Sequence, residues 1–132
     1  MILVDANVLM YAAGAEHQYR ARSAAFLARV VDGDVQATID AEVLQEILHR
    51  YRAINRCHDG RRLYDTARII FPSAIPITDA VLDDARRLMD EHHGITARGA
   101  IHAAVVRVHV LDAICSFDQD FDSISSVKRI EP

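Results

Sequence analysis

At 132 residues the chain is long enough for one domain, spanning 1–132, whose folding buries roughly two thirds of the unfolded surface, and a second domain is not expected. A composition of 51% hydrophobic and 26% charged residues excludes a disordered or fibrous chain. The formal net charge of −4 excludes binding to nucleic acid through overall basicity, though not through a local basic rim. Arginine supplies almost all the positive charge, Lys128 being the only lysine, and positions 50, 52, 56, 61 and 62 form a group suited either to phosphate contact or to solvated helix faces. Cys57 and Cys115 lie far apart with no CxxC pair, so reduced thiols are expected rather than a zinc motif or a disulfide framework. The apolar opening run falls far short of the roughly 18 to 20 residues of a membrane span and has no basic leader, so the expected location is the cytoplasm, away from membranes.

The first element is a short buried strand over 2–4 that ends abruptly on Asp5 and gives way to helical spacing over 6–13. A helix over 17–32 leads into a second strand over 35–39. The helix over 40–55 is the clearest, with Asp40 as N-cap and Val43, Leu44, Ile47, Leu48, Tyr51 and Ile54 recurring to form one apolar face. Glu46 flanks that face and can turn into a cleft, whereas Glu42, one turn earlier, is expected in solvent. A helix over 58–70, a weaker strand over 75–77 and a helix over 79–92 follow.

The segment 97–109 is apolar nearly all round, interrupted by His102, Arg107 and His109, and is expected to run through the middle of the fold. Thr96 is its N-cap. Three residues on, first-turn amides and the helix dipole favour an acid or amide, and Gly99 supplies neither. Glycine within a helix costs about 1 kcal/mol relative to alanine, so local stability does not explain it. Strands over 112–116 and 127–130 bring the number to five. Strands separated by helices predict an α/β fold with a central parallel sheet covered on both faces.

In such sheets ligands gather at the carboxyl ends of strands, where the winding reverses. Asp5 ends the first strand, and Asp118 follows the fourth by two residues. With Glu46 from a neighbouring helix, three carboxylates would meet in one cleft, a donor set that suits Mg²⁺ or Mn²⁺. Without an ion they repel one another. A bound cation removes that repulsion, acidifies water and neutralises charge on a phosphoryl oxygen. Phosphodiester hydrolysis needs these effects.

Asp5-Ala6-Asn7 after an apolar strand, Val43-Leu44-Gln45-Glu46, the run 97–103 and Ser116-Phe117-Asp118-Gln119-Asp120-Phe121 resemble the ordered motifs of PIN-domain ribonucleases across almost the whole chain. The length and the lack of other domains make the chain look specifically like the VapC toxins, the ribonuclease halves of toxin–antitoxin pairs. The resemblance implies a PIN-like fold, with Asp5, Glu46 and Asp118 as catalytic metal-site acids binding Mg²⁺ or Mn²⁺. Asn7 and Ser116 are implied as supporting groups, and Asp122 as a secondary candidate. It further implies RNA cleavage by in-line attack of water to leave a 5′-phosphate and a 3′-hydroxyl, a homodimer, and a VapB-like antitoxin whose tail covers the acidic cleft. The family usually carries an aspartate where this chain has Gly99, which implies an impaired centre.

Blander roles compete at each position. Asp5 alone reads as a turn residue, Glu46 as an exposed helix acid, Asp118 as the start of a helix and Asn7 as a first-turn hydrogen-bonding residue. Their combination outweighs those roles. His102 is taken as a satisfied core or rim histidine and left out of the site. The run 118–122 alternates acids as a calcium loop does, but such a loop needs glycine sixth and glutamate twelfth, where Ser123 and Arg129 stand. A phosphoacceptor domain needs paired acids after the first strand, and only Asp5 is there, although Asp79 fits its other requirement. The remaining rival, favoured by Gly99, is a PIN-like module without catalysis that binds RNA or an antitoxin.

Overall fold

The structure, a computed structural model, describes residues 1–132. The chain begins with β1 (Ile2–Val4), α1 (Ala6–Ala13), α2 (Arg20–Val31), β2 (Ala37–Asp40), α3 (Ala41–Ala53) and α4 (Cys57–Ile70). It continues with β3 (Ala74–Ile75), α5 (Asp79–Glu91), α6 (Ala97–Val108), β4 (Ala113–Cys115), a 3₁₀ helix (Gln119–Ser123) and β5 (Arg129–Ile130). All strand pairs are parallel, in the order β3-β2-β1-β4-β5. The chain winds outward from β1 through β2 to β3, then returns to place β4 on the other side of β1. That reversal makes the β1–β4 boundary the switch point at which ligands collect.

Alternation along the strands divides the core into two layers. Leu3 of β1 and Ile114 of β4 pack with Val81, Leu88, Ala103, Phe121 and Ile124 on one face. Val4 and Cys115, one residue on, pack with Leu9, Phe26, Ile39, Val43 and Ile47 on the other. The central strands β1 and β4 are therefore covered on both sides and read as continuous apolar runs, as buried parallel strands do. No helix is long and apolar enough to cross a membrane.

The expected elements are present with shifted boundaries. β2 begins at Ala37 and includes Asp40, and β3 shrinks to Ala74–Ile75, directly before Pro76, which has no amide to donate. α2 begins at Arg20 instead of 17 because the preceding turn is used elsewhere. There the Tyr19 amide donates to His17 Nδ1 at 3.1 Å, and the Tyr19 ring stacks on Phe117 with centroids 4.0 Å apart. The acidic run after β4 forms a 3₁₀ helix capped by Asp118, whose carboxylate accepts from the Asp120 amide at 2.9 Å.

The two thiols occupy opposite environments. Cys57 is exposed at the start of α4, while Cys115 is buried in the sheet, where burial and the Asp5 charge push its thiol up to about 12. Thiolate is the reactive form, so alkylation should find Cys57 alone in the native protein and both residues in denaturant. Mass spectrometry after brief iodoacetamide treatment should show one adduct without urea and two with it. Two rapid adducts on native protein would contradict the buried placement of Cys115.

Candidate metal centre

Asp5 stands immediately after β1, tied to β4 by its amide, which donates to the Cys115 carbonyl at 3.0 Å. One of its carboxylate oxygens is fully engaged. Oδ2 accepts from the Ser116 hydroxyl at 2.6 Å and from Asn7 Nδ2 at 3.1 Å. Asn7 Nδ2 also donates to Ser116 Oγ at 3.0 Å, so the three side chains form a closed triangle across the β1–β4 boundary. Oδ1 is left facing the interior of the site. Burial raises the Asp5 carboxyl above its ordinary range and nearby Glu46 adds to that, against the opposing effects of His102 and the Ser116 hydrogen bond.

Glu46 approaches from α3. The helix is fixed at its start by Asp40, whose Oδ1 accepts from the Val43 amide at 3.0 Å. The other Asp40 oxygen accepts from His102 Nδ1 on α6 at 2.7 Å, with both side chains essentially out of solvent. This contact fixes the imidazole so that Nε2 points toward Glu46 Oε2 at 3.5 Å and Asp5 Oδ1 at 4.0 Å. Nε2 itself is buried with no hydrogen-bond partner. Burial alone favours the neutral ring. The Asp40 carboxylate, aided by Glu46 and Asp5, outweighs burial and raises His102 well above the ordinary histidine range.

The structure thus brings Asp5 and Glu46 together, with His102 as the third member of a set whose donor atoms lie within 4.8 Å of one another. Asp118 is not in that set. It lies at the rim, its amide donating to Ser116 Oγ at 3.0 Å while its exposed carboxylate caps the 3₁₀ helix. Asp122 is engaged elsewhere, forming a two-pronged pair with Arg129 at 2.9 and 3.0 Å that lowers its carboxyl below the usual range. Arg129 Nη1 also donates to the Ser116 carbonyl at 3.0 Å, so Asp122 acts on the site through the backbone of Ser116.

Two expectations need correction. His102 is only half a satisfied core histidine, since Asp40 partners one nitrogen and the other faces the acids. Glu42 is not a solvent acid either: its side chain is less exposed than that of Glu46 and lies 3.3 Å from Arg98 Nε. Arg98 reaches toward both acids, with Nη1 at 3.9 Å from Glu46 Oε1. Of the arginine group, Arg50 joins Arg98, His49, Glu46 and Met10 in lining a groove of about 360 Å³ beside the site. Arg56 instead pairs with Asp59 at 2.8 Å.

A model of the PIN domain matches residues 2–127. A VapC ribonuclease of Mycobacterium bovis and Ribonuclease VapC13 of Mycobacterium tuberculosis are each 36% identical over 130 residues, covering 98% of this chain and 99% of their own. The chain belongs to the PIN-domain VapC family. Ribonuclease VapC7 of Mycobacterium tuberculosis is 32% identical over 136 residues, covering 100% of this chain and 92% of its own. The fold is shared with FitAcB from Neisseria gonorrhoeae, with a TM-score of 0.77 at 20% identity over 100% of this chain and 98% of that one.

Within this PIN domain, the position at which the resemblance implies a further acid is tightly surrounded. Gly99 is buried in the first turn of α6, its amide donating to the Thr96 cap at 3.0 Å. A Cβ there would meet Ile95 Cγ1 at 3.0 Å and Thr96 Oγ1 at 3.2 Å, so any side chain requires a shift of a few tenths of an ångström. The residues present do suit a dication: two carboxylates and one unpartnered ring nitrogen converge at the switch point.

The Asp40–His102 pair should bear much of the packing between α3 and α6. Removing one member of a buried pair costs about 3–5 kcal/mol, against about 1 kcal/mol for an ordinary N-cap. Urea denaturation should therefore show Asp40→Ala losing about 3–5 kcal/mol, and Thr78→Ala, which removes the cap of α5, about 1 kcal/mol. Equal losses would mean that Asp40 acts as a cap alone.

Proposed function

We propose that this chain is a VapC-type toxin, a divalent-metal-dependent endoribonuclease in which Asp5, Glu46 and Asp118 hold Mg²⁺ or Mn²⁺ and Gly99 attenuates the centre. The observation that carries this reading is the convergence of Asp5, Glu46 and His102 at the β1–β4 switch point, beside a groove lined by Arg50 and Arg98. Such a cation supplies acidified water and neutralises charge on the phosphoryl group.

The chain's own residues have separable roles. Ser116 and Asn7 fix Asp5 Oδ2, so that only Oδ1 is offered inward. Arg50 and Arg98 present guanidinium donors along the groove, where RNA phosphates can be gripped by fork geometry. Asp118 enters this reading from its place after Ser116, and Asp122 supports it by holding Arg129 on the Ser116 carbonyl. In the reaction, water adds to phosphorus in line and the bond from phosphorus to the 3′ oxygen breaks, leaving a 5′-phosphate and a 3′-hydroxyl. The same reading carries a homodimer and a VapB-like antitoxin whose tail places a basic residue over the acids.

Gly99 also favours a second reading, a module that binds RNA or antitoxin without cutting. The two are separated by incubating total cellular RNA with Mg²⁺ or Mn²⁺ and this chain, Gly99→Asp, or either combined with Asp5→Ala. Weak cleavage by the chain is expected, raised about tenfold by Gly99→Asp, equivalent to about 1.4 kcal/mol of barrier, and abolished by Asp5→Ala in both backgrounds. RNA retained on the protein but uncut under every condition would favour the binding module.

A further inference from the structure

We propose that His102 is itself a metal ligand. Its Nε2 completes a set of two carboxylates and one imidazole with Asp5 and Glu46, and this set favours a transition-metal dication such as Mn²⁺, Co²⁺ or Zn²⁺ over Mg²⁺. The inference rests on the reading that Asp5 and Glu46 hold a divalent cation, and it changes the chemistry of that site from all-oxygen to mixed oxygen and nitrogen.

Each of the three side chains is anchored on one side and open on the other. Asp5 Oδ2 is occupied by Ser116 and Asn7, leaving Oδ1. Glu46 Oε1 lies toward Arg98, leaving Oε2. His102 Nδ1 is occupied by Asp40, leaving Nε2, which is buried and has no hydrogen-bond partner. A buried ring nitrogen left without a partner is costly, and here it points at two carboxylate oxygens 3.5 and 4.0 Å away. Donors about 2.1 Å from one dication stand roughly 3.0–3.5 Å apart at neighbouring positions, so the two separations from His102 Nε2, at 3.5 and 4.0 Å, need a contraction of about half an ångström, and all three donors lie within 4.8 Å of one another.

The outer contacts fit the same role. Histidine ligands characteristically donate their second ring N–H to a carboxylate, which fixes tautomer and ring orientation. Asp40 supplies that carboxylate from inside the core, at 0% exposure. On binding, any proton on Nε2 passes to solvent, while the Nδ1 proton stays on the ring and is donated to Asp40. Gly99 completes the argument. It precedes His102 by three residues and shares its helix face, but it contributes no donor. α6 therefore offers nitrogen to the ion. Imidazole suits Zn²⁺ and Co²⁺, and Mn²⁺, the weakest of the first-row series, still accepts it more readily than Mg²⁺, which prefers carboxylate and water oxygen.

Pulsed EPR of the full chain loaded with Mn²⁺ tests this directly. The expected spectrum shows coupling from a directly bound ¹⁴N, replaced by the ¹⁵N pattern when the protein is prepared with ¹⁵N-histidine, and absent in Asp5→Asn. Calorimetric titration should place Mn²⁺ at least about tenfold tighter than Mg²⁺, with His102→Asn weakening Mn²⁺ about 10- to 100-fold and Mg²⁺ about threefold or less. Asp5-dependent Mn²⁺ binding without histidine coupling would overturn the role of His102 and leave an all-oxygen centre. Coupling that survives Asp5→Asn would place the ion on another histidine and overturn it equally. Absence of any Asp5-dependent ion binding would instead remove the divalent-cation reading on which the proposal rests. The labelled native chain decides the question even if His102→Asn does not fold.

Discussion

A single buried carboxylate, Asp40, joins the two helices that form the inner wall of the site. One oxygen holds the first turn of α3 and the other holds the His102 ring on α6, both without access to solvent. Withdrawing such charges from water costs several kcal/mol each, and only close pairing with fully used hydrogen-bonding capacity returns that cost. The arrangement therefore has little tolerance for displacement. If α6 slid by a fraction of an ångström relative to α3, it would leave a charged group buried and unpaired. The position of Glu46, one and a half turns down α3, and the direction of His102 Nε2 both follow from this fixed point.

The second constraint is the sheet. Parallel pairing of β1 with β4 aligns Val4 with Cys115, which sets Asp5 and Ser116 side by side at the strand ends. The Asp5, Asn7 and Ser116 triangle forms across that boundary, and Arg129 extends it to β5 by donating to the Ser116 carbonyl while gripping Asp122 and Glu131. Two segments 111 residues apart, the second of them braced by Arg129, thus meet at one carboxylate. Its inward oxygen is positioned by hydrogen bonds to the other, the kind of support a site needs if its geometry is to survive thermal motion.

Much of this architecture is visible in the order of residues. The apolar run ending on Asp5, the cap and stripe of α3 and the Thr96 cap each have local causes, and the structure places them within a few residues of expectation. Helical spacing also puts Glu46 at the border of a buried face, which is where its half-buried side chain turns inward. What escapes local reading depends on partners distant in sequence. His102 lies on a helix buried nearly all round, where periodicity gives no inward or outward direction, and its Asp40 partner is 62 residues away. An acid capping an amphipathic helix directly after a buried strand is the available signal, because a buried cap carboxylate needs a cation. Glu42 was misplaced for the same reason: Arg98, which covers it, comes from another helix.

Charge balance explains how a centre can lack an acid at Gly99 and keep its shape. Asp5, Asp40 and Glu46 surround His102, and Glu42 and Glu46 flank Arg98, so the carboxylates gathered here call for nearby positive charge. Two unit charges 4 Å apart interact by about 4 kcal/mol at an effective dielectric of 20, so each uncompensated pair matters against a total stability of about 5–15 kcal/mol. His102, pushed toward its charged form by the carboxylates around it, and Arg98 supply the compensation from α6 itself. A carboxylate at position 99, on the same helix turn, would work against both. It would deepen the attraction for cations and increase repulsion whenever none is bound. With glycine there, the acids are balanced by the protein's own cations, His102 and Arg98, both carried by the one helix.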